Sequence, residues 1–288
     1  MDTFARDGLP PAELWPELRL GGAYAYPDRL NAATNLLDDA VRDGDGDHVA
    51  IISRDGAGAY TATTYRELQR QADAIAHVLV REMGLVSGNR VLLRGYNGAT
   101  LAATWLAVLK AGAVAVTTMP MLRAIELQAV MEKARCSHAL CDRRLEAELQ
   151  VAIAESDVSV QVRYWEYAPV EAAPSAAVST EDAQPAGVSL NALMQRHVAP
   201  FASVDTSSDD VCLIAFTSGT TGVPKGCMHF HRDVMAMCDG FSAHTLRLSA
   251  HDRCIGTPPL AFTFGLGALL AFSMHARAST VLLETATP

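Results

Sequence analysis

The sequence predicts an α/β fold, with doubly wound, mostly parallel sheets and helices on both of their faces. From about residue 64, short apolar runs typical of buried strands alternate with longer segments of helical periodicity. One apolar run leads straight into a loop rich in glycine and threonine. The composition, 50% hydrophobic and 19% charged over 288 residues, supplies a substantial core. Strands that alternate with helices favour parallel β-α-β units.

The first predicted element is an amphipathic helix within "TTYRELQRQADAIAHVLVREMG". Thr64 and Glu67 have the spacing of a capping box at its start, and Gly84 is a stop signal at its end. The apolar residues between them follow the helical repeat: Leu68, Ala72, Ile75, Ala76, Leu79, Val80 and Met83.

The next segments form a strand-helix-strand series. The strand is "RVLLRG", the helix is "TLAATWLAVLKAG" closed by Gly112, and the second strand is "AVAVTT". A helix from Ala124 to Lys133 follows, and then come a strand "HALCD", a helix "RLEAELQVAIAE" and a strand "VSVQVRYW". This order predicts consecutive crossovers within one sheet.

We divide the chain into three regions. Residues 1–63 are an N-terminal segment, 64–200 a first α/β subdomain, and 201–288 the phosphate loop with the start of a second subdomain. A stretch rich in Ala, Pro, Ser and acidic residues predicts a mobile insert at about 167–187. We expect the sheet to end with an unpaired edge after Leu283.

Composition narrows the class of partner. The 23 basic and 32 acidic residues give a formal charge of -9, which opposes nucleic-acid binding. Six cysteines without a C-x-x-C pair, behind a charged, proline-broken N-terminus, predict reduced thiols in a cytoplasmic protein. The uncharged stretch from Cys254 to Ala276 contains several prolines and glycines, so it predicts a strand, a loop and a helix instead of a membrane span.

The loop after the strand Val211 to Phe216 has the composition of a polyphosphate site. Its sequence "TSGTTGVPKG" offers three glycines for close backbone approach, four hydroxyls and one lysine. The order differs from G-x-x-x-x-G-K-[ST], because Lys225 follows Val-Pro and precedes Gly226. A generic P-loop kinase is therefore disfavoured, and an ordinary Gly/Thr-rich turn is the alternative.

"TSGTTGVPKG" resembles the phosphate-binding signature of the adenylate-forming superfamily, which includes acyl- and aryl-CoA synthetases, luciferases and peptide-synthetase adenylation domains. "TYRELQRQADAIAHVL", "LKAGAVAVTTMP" and "GTPPLAFTFGLG" are similar to three further motifs of that superfamily. The resemblance implies that a carboxylic acid attacks Mg²⁺-bound ATP to give an acyl-adenylate and pyrophosphate. A thiol, here coenzyme A, then displaces AMP.

The resemblance also implies roles for individual residues. The β- and γ-phosphates of ATP would be held by a run of six loop residues, and Lys225 would add charge, with Thr217 and Lys225 acting as catalytic residues. The six residues are Thr217, Ser218, Gly219, Thr220, Thr221 and Gly222. No metal ligand is assigned, so the Mg²⁺ would be held by residues outside this loop.

The fourth motif implies an aromatic acid as substrate. Phe262 and Phe264 would flank a planar ring and Gly265 would leave room for it; the alternative is that both are core phenylalanines. Wider features, such as "VLLRGYNG" and "ASTVLLETATP", look most like benzoate-CoA and 2-aminobenzoate-CoA ligases. The alternatives are another acyl-CoA synthetase or adenylation domain, and a non-catalytic nucleotide-binding remnant.

Relatives of this type continue with segments for adenine, ribose and magnesium and with a lid domain that carries a catalytic lysine. We therefore expect the chain as given to form no thioester by itself. Two other patterns predict only structure. His229 and His231 would share one face of a strand, and "DGDGD" at 43–47 lacks the glycine and glutamate of a calcium loop. Cys136 and Cys141 are predicted to be buried thiols.

Overall fold

Ten strands form two sheets in the computed structural model, which describes residues 1–15, 17, 21–166, 189–217 and 224–284. The six-stranded sheet has the order β6-β5-β3-β4-β7-β8, and the four-stranded sheet has the order β2-β1-β10-β9. The strands are β1 (Val49–Arg54), β2 (Tyr60–Thr64), β3 (Arg90–Arg94), β4 (Val114–Thr118), β5 (His138–Asp142), β6 (Gln161–Trp165), β7 (Val211–Thr217), β8 (Lys225–Phe230), β9 (Arg253–Gly256) and β10 (Ser279–Leu283).

Helices connect most of these strands. The α-helices are α1 (Phe4–Asp7), α2 (Asp39–Arg42), α3 (Tyr65–His77), α4 (Ala99–Lys110), α5 (Ala124–Ala134), α6 (Glu146–Glu155), α7 (Leu190–Met194), α8 (His231–Met237), α9 (Thr263–Gly265) and α10 (Phe272–His275). Stretches of π-helix extend or join several of them at Thr34–Asp38, Val78–Glu82, Cys238–Leu246 and Leu266–Ala271.

The capping box predicted for the first long helix is confirmed. Thr64 Oγ1 accepts a hydrogen bond from Glu67 N at 3.2 Å, and the Glu67 carboxylate accepts one from Thr64 N at 2.8 Å. Two backbone N–H groups that the helix cannot pair itself are thereby satisfied. At the other end Gly84 adopts a φ of +66°, a conformation that favours glycine.

The six-stranded sheet confirms the predicted doubly wound architecture. Strands β6, β5, β3, β4 and β7 are mutually parallel, whereas β8 runs antiparallel to β7. Alternate residues of β3 reach opposite cores: Val91 and Leu93 pack on the side of α4, while Leu92 packs on the side of α5 and α6. Both faces of the sheet are therefore covered by helices.

The four-stranded sheet joins the beginning of the chain to its end. Strand β10 pairs in parallel with β1 on one side, with Ile51 opposite Thr280, and with β9 on the other. The prediction of an unpaired edge after Leu283 is wrong, because β1 covers that edge. The two sheets recruit strands across the proposed boundaries at 64 and 201, and those boundaries stay a prediction.

Two further predictions concern single segments. The region 254–276 contains strand β9, a loop and then helical residues from Thr263 onward, as predicted. Among the described residues, no helix has both the length and the apolar character needed to cross a membrane. The predicted insert at 167–187 lies outside the described residues.

Candidate functional site

The predicted phosphate loop connects two strands of an antiparallel hairpin. Strand β7 is buried along most of its length and becomes exposed at Thr217, its last residue. Lys225, the first residue of β8, lies opposite Thr217 in the register and is also exposed. Both residues therefore flank the base of the loop. The other predicted phosphate ligands, Ser218 to Gly222, lie outside the described residues.

Gly226 explains how the hairpin closes beside this base. A Cβ at Gly226 would lie 2.9 Å from Ile214 Cγ2 and 3.3 Å from the Phe216 ring. Because real Cβ atoms do not approach so closely, a larger residue would push β8 away from the side chains of β7. Sequence reasoning assigned this glycine to phosphate contact and missed its part in packing.

A cavity of about 270 Å³ opens where the hairpin meets the segment before α9. Among the described residues, its lining contains no charged side chain. The rings of Phe216 and Phe262 both line it, and Thr217 connects it to the base of the loop. The lining residues are Ala215, Phe216, Thr217, Cys227, His229, Ala261, Phe262 and Thr263.

Two polar side chains fix the segment that carries Phe262. Asn97 accepts a hydrogen bond from Leu260 N at 2.8 Å and donates one to Pro258 O at 3.3 Å. Thr117 Oγ1 donates to Ala261 O at 2.8 Å. These bonds satisfy backbone groups of an irregular segment and tie it to the carboxyl ends of β3 and β4. The position of Phe262 is therefore set by the six-stranded sheet.

The structure does not place Phe264 and Gly265 at this cavity. Phe264 is 72% exposed and is not among the residues that line the cavity. Gly265 is buried, and a Cβ there would come within 2.1 Å of Pro259 O. Its hydrogen-only side chain lets the start of the helix pack on the Pro258–Pro259 backbone, so it positions the segment instead of leaving room for a ring.

The two histidines of β8 and α8 have different surroundings. His231 begins α8 instead of continuing β8, so the predicted shared face is wrong. Its Nδ1 accepts a hydrogen bond from Ala32 N at 3.1 Å, and burial lowers the pKa of its imidazole to about 3. His229 instead lines the cavity. No group of three or more metal-ligating side chains exists in the part of the chain that the structure describes.

The cysteines also differ in their exposure to solvent. Cys136 and Cys141 are buried as predicted, and burial raises the pKa of each thiol to about 12, which makes them inert. Cys227, by contrast, is exposed at the cavity wall. Sequence reasoning missed Cys227 and His229, although the two-residue alternation of a strand beginning at Lys225 places them on one face.

Comparison with known proteins places this site in a family. The AMP-binding enzyme family matches residues 37–288. Benzoate–CoA ligase of Thauera aromatica is 28% identical over 272 residues, which cover 92% of this chain and 46% of the relative. A 3-hydroxybenzoate–CoA/4-hydroxybenzoate–CoA ligase of the same organism is 26% identical over 88% of this chain and 45% of its own.

A solved structure supports the fold. The anthranilate CoA ligase AuaEII, in complex with anthranoyl-AMP, superposes with a TM-score of 0.80 at 22% identity, covering 92% of this chain and 47% of that one. The chain thus spans about half the length of the relatives it matches, and its fold is the N-terminal part of the adenylate-forming CoA ligases. It belongs to the AMP-binding enzyme family.

Proposed function

We propose that the full-length protein carrying this chain activates an aromatic carboxylate of the benzoate or 2-aminobenzoate type. ATP and the acid would give an acyl-adenylate and pyrophosphate, and coenzyme A would then displace AMP. The observation that supports this proposal most strongly is the cavity between Phe216 and Phe262, at the base of the predicted phosphate loop. It puts a ring-sized apolar space beside the groups expected to hold ATP.

The character of the lining favours a neutral aromatic ring. Phe216 and Phe262 can stack edge or face against it, and about 270 Å³ is close to the lower end of ligand-pocket volumes. The described lining has no carboxylate, so a substrate with a cationic α-ammonium group would be desolvated without a partner. This disfavours an aminoacyl adenylation domain and is compatible with the uncharged amino group of 2-aminobenzoate.

The proposal assigns the ends of the hairpin to ATP. Thr217, Lys225 and the loop residues Ser218, Gly219, Thr220, Thr221 and Gly222 would hold the β- and γ-phosphates, with Mg²⁺ bound by segments outside the described residues. Lysine supplies charge-assisted hydrogen bonds that strengthen as negative charge accumulates on pyrophosphate. A small-molecule acid, ATP and coenzyme A are the proposed partners, in a cytoplasmic enzyme.

Pyrophosphate release by the full-length protein tests the proposal. The assay contains ATP, Mg²⁺ and one acid from a panel of benzoate, 2-aminobenzoate, hydroxybenzoates, octanoate and amino acids, with and without coenzyme A. We expect release to depend on an aromatic acid, and an aryl-CoA thioester to appear when coenzyme A is present. Release that requires octanoate or an amino acid instead would identify another acid, and ATP binding without release from any acid would favour a non-catalytic remnant.

A further inference from the structure

A buried polar group of the hydrophobic core has no hydrogen-bond partner among the residues that the structure describes. Trp105, on α4, is only 1% exposed, yet its indole Nε1–H makes no hydrogen bond with the described residues. A buried donor that loses water without gaining a partner destabilises the folded protein. Such groups are rare in native proteins, so this one requires an explanation in terms of packing or of a ligand.

Trp105 lines a small cavity of about 10 Å³ that adjoins the proposed acid site. Its volume is close to the smallest that accommodates one water-sized group. Leu213, Val234 and Leu266 make its wall largely apolar. His229 and Thr263 line both this cavity and the larger one, so they form the partition between them.

His229 provides the complementary group. Its imidazole is half-buried, and no described residue forms a hydrogen bond, an ion pair or a ring contact with it. A neutral imidazole carries one donor and one acceptor nitrogen. The small cavity is therefore lined by one residue whose only polar group is a donor, Trp105, and by one residue that carries an acceptor nitrogen, His229. A hydroxyl, which both accepts and donates, satisfies both.

We propose that this small cavity is the subsite for a ring hydroxyl of the aromatic acid, a proposal that rests on the function proposed above. The Trp105 N–H donates to the phenolic oxygen, and the phenolic O–H donates to a His229 nitrogen. A rotation of the imidazole joins the two cavities when the acid binds. Trp105 and His229 thus determine which ring substituent the enzyme accepts.

The register of the hairpin determines where on the ring this hydroxyl lies. Same-face residues of β8 succeed one another at about 6.6 Å, so Cys227 and His229 lie about 7 and 13 Å along the strand from Lys225. The acid's carboxylate must face the phosphates at the Lys225 end. A substituent beside His229 is consequently remote from the carboxylate, in the 3- or 4-position of the ring.

An amino group satisfies the subsite less well. The nitrogen lone pair of an aryl amine is delocalised into the ring, so it accepts poorly from the Trp105 N–H, and in 2-aminobenzoate it lies next to the carboxylate. An unsubstituted ring leaves both protein groups unpaired. Sites that hydrogen-bond a substrate hydroxyl discriminate against analogues without one, because their own polar groups are then left buried and unsatisfied.

Steady-state kinetics of the full-length protein test this subsite. The kcat/KM for pyrophosphate release is measured with benzoate, 2-aminobenzoate, 3-hydroxybenzoate and 4-hydroxybenzoate, for the wild type and for Trp105→Phe, which removes the N–H and keeps an aromatic ring. We expect one hydroxybenzoate to exceed benzoate about tenfold, the scale of one or two neutral hydrogen bonds. Trp105→Phe should abolish that preference, because kcat/KM for the favoured hydroxybenzoate should fall more than kcat/KM for benzoate.

Two further variants separate recognition from packing. Trp165→Phe alters a buried tryptophan that lines neither cavity and should leave the ratio between acids unchanged. His229→Leu should reduce the ratio, and His229→Gln, which retains a hydrogen-bonding group, should restore part of it. Thermal unfolding should show that Trp105→Phe remains folded with a somewhat lower Tm, because the smaller ring leaves part of the indole volume empty.

The outcomes distinguish failure of the hydroxyl subsite from failure of the proposed function on which it rests. If benzoate or 2-aminobenzoate is preferred to both hydroxybenzoates, or if Trp105→Phe lowers all four values equally, the hydroxyl subsite is refuted while aryl activation stands. If no aromatic acid supports pyrophosphate release, the proposed function fails, and the subsite fails with it.

Discussion

Two cavities of similar size differ in how their polar groups are satisfied. The cavity at the hairpin, of about 270 Å³, has no charged lining among the described residues and contains the unpartnered imidazole of His229. The other, of about 280 Å³, lies near the carboxyl ends of β1, β3, β5 and β6. In it Arg144 contacts Asp142 at 2.7 Å and Glu284 at 2.5 Å.

The difference separates a structural cluster from a candidate binding site. Arg144 links the ends of the two sheets, since Asp142 ends β5 and Glu284 follows β10. Its guanidinium is already paired with both of these carboxylates. The hairpin cavity, in contrast, keeps hydrogen-bonding capacity that a ligand can complete. Volume alone would not distinguish them, whereas the state of their polar groups does.

The largest predicted effect would come from breaking the charged cluster. In Arg144→Met the Asp142 carboxylate, whose side chain is 2% exposed, loses its ion pair, and we expect unfolding free energy to fall by about 3 kcal/mol. Chemical denaturation of the full-length protein measures this loss. The double variant Arg144→Met/Asp142→Asn also removes the unpaired Asp142 charge, so it should recover part of the lost unfolding free energy. A change in acid preference with unchanged stability would show that this cavity binds substrate.

The second prediction concerns catalysis at the base of the loop. In Lys225→Ala we expect the activation free energy of pyrophosphate release at saturating ATP to rise by about 1.5–3 kcal/mol, the scale of a charge-assisted hydrogen bond. Acid binding should change less, because the lysine's charge faces phosphates. Lys133→Ala, which removes an exposed lysine from α5, is the matched control. An unimpaired Lys225→Ala enzyme would remove the phosphate-binding interpretation of this hairpin.

The third prediction separates two phenylalanines that sequence reasoning treated alike. Phe262→Ala should raise the kcat/KM for a bulkier ring, relative to that for benzoate, about tenfold, while the KM for ATP stays nearly constant. Phe264→Ala should not, because Phe264 is 72% exposed and does not line the cavity. Competition between benzoate and a bicyclic aromatic acid measures the preference. Equal shifts in both variants would contradict the placement of the site.

The smallest predicted effect concerns the hydrogen bond from Thr117 to the segment that carries Phe262. Thr117→Val removes the hydrogen bond to Ala261 O and should cost about 1 kcal/mol of stability and raise the KM for the acid a few-fold. Thr118→Val is the control, because Thr118 Oγ1 donates at 3.0 Å to Leu93 O, within the sheet. The two variants should lose similar stability, and only the first should change KM. If both variants change the KM equally, the change would arise from a general disturbance of β4 and not from the hydrogen bond to Ala261.

Local signals in the sequence predicted the elements well. The capping box at Thr64 and Glu67 and the apolar runs of β3, β4, β5 and β7 depend on neighbours a few residues away, and they are confirmed. The reversal of β8 depends on the conformation of a short loop, and the pairing of β1 with β10 depends on packing across the whole chain. Neither has a local pattern.

The same distinction applies to the site. Thr217, Lys225 and Phe262 were found because motifs carry them, and the structure places all three around one hairpin and its neighbouring segment. Phe264 was assigned by its proximity in sequence, but it is largely exposed and does not line the cavity. Trp105 had no signal as a site residue, because its unpaired N–H is visible only once the surrounding core is known.

The pairing of β1 with β10 imposes an order on folding. During synthesis the β1–β2 hairpin is made well before the strand that covers the open edge of β1, which begins 225 residues after β1 ends (Arg54 to Ser279). The strands of the six-stranded sheet are complete before then, so that sheet can form first as a platform. Strand β2 and helix α3 are made soon after β1, but the other edge of β1 stays unpaired until β10 is made, and closing so long a loop is slow. During that interval the open edge of β1 can pair with another chain, which favours aggregation.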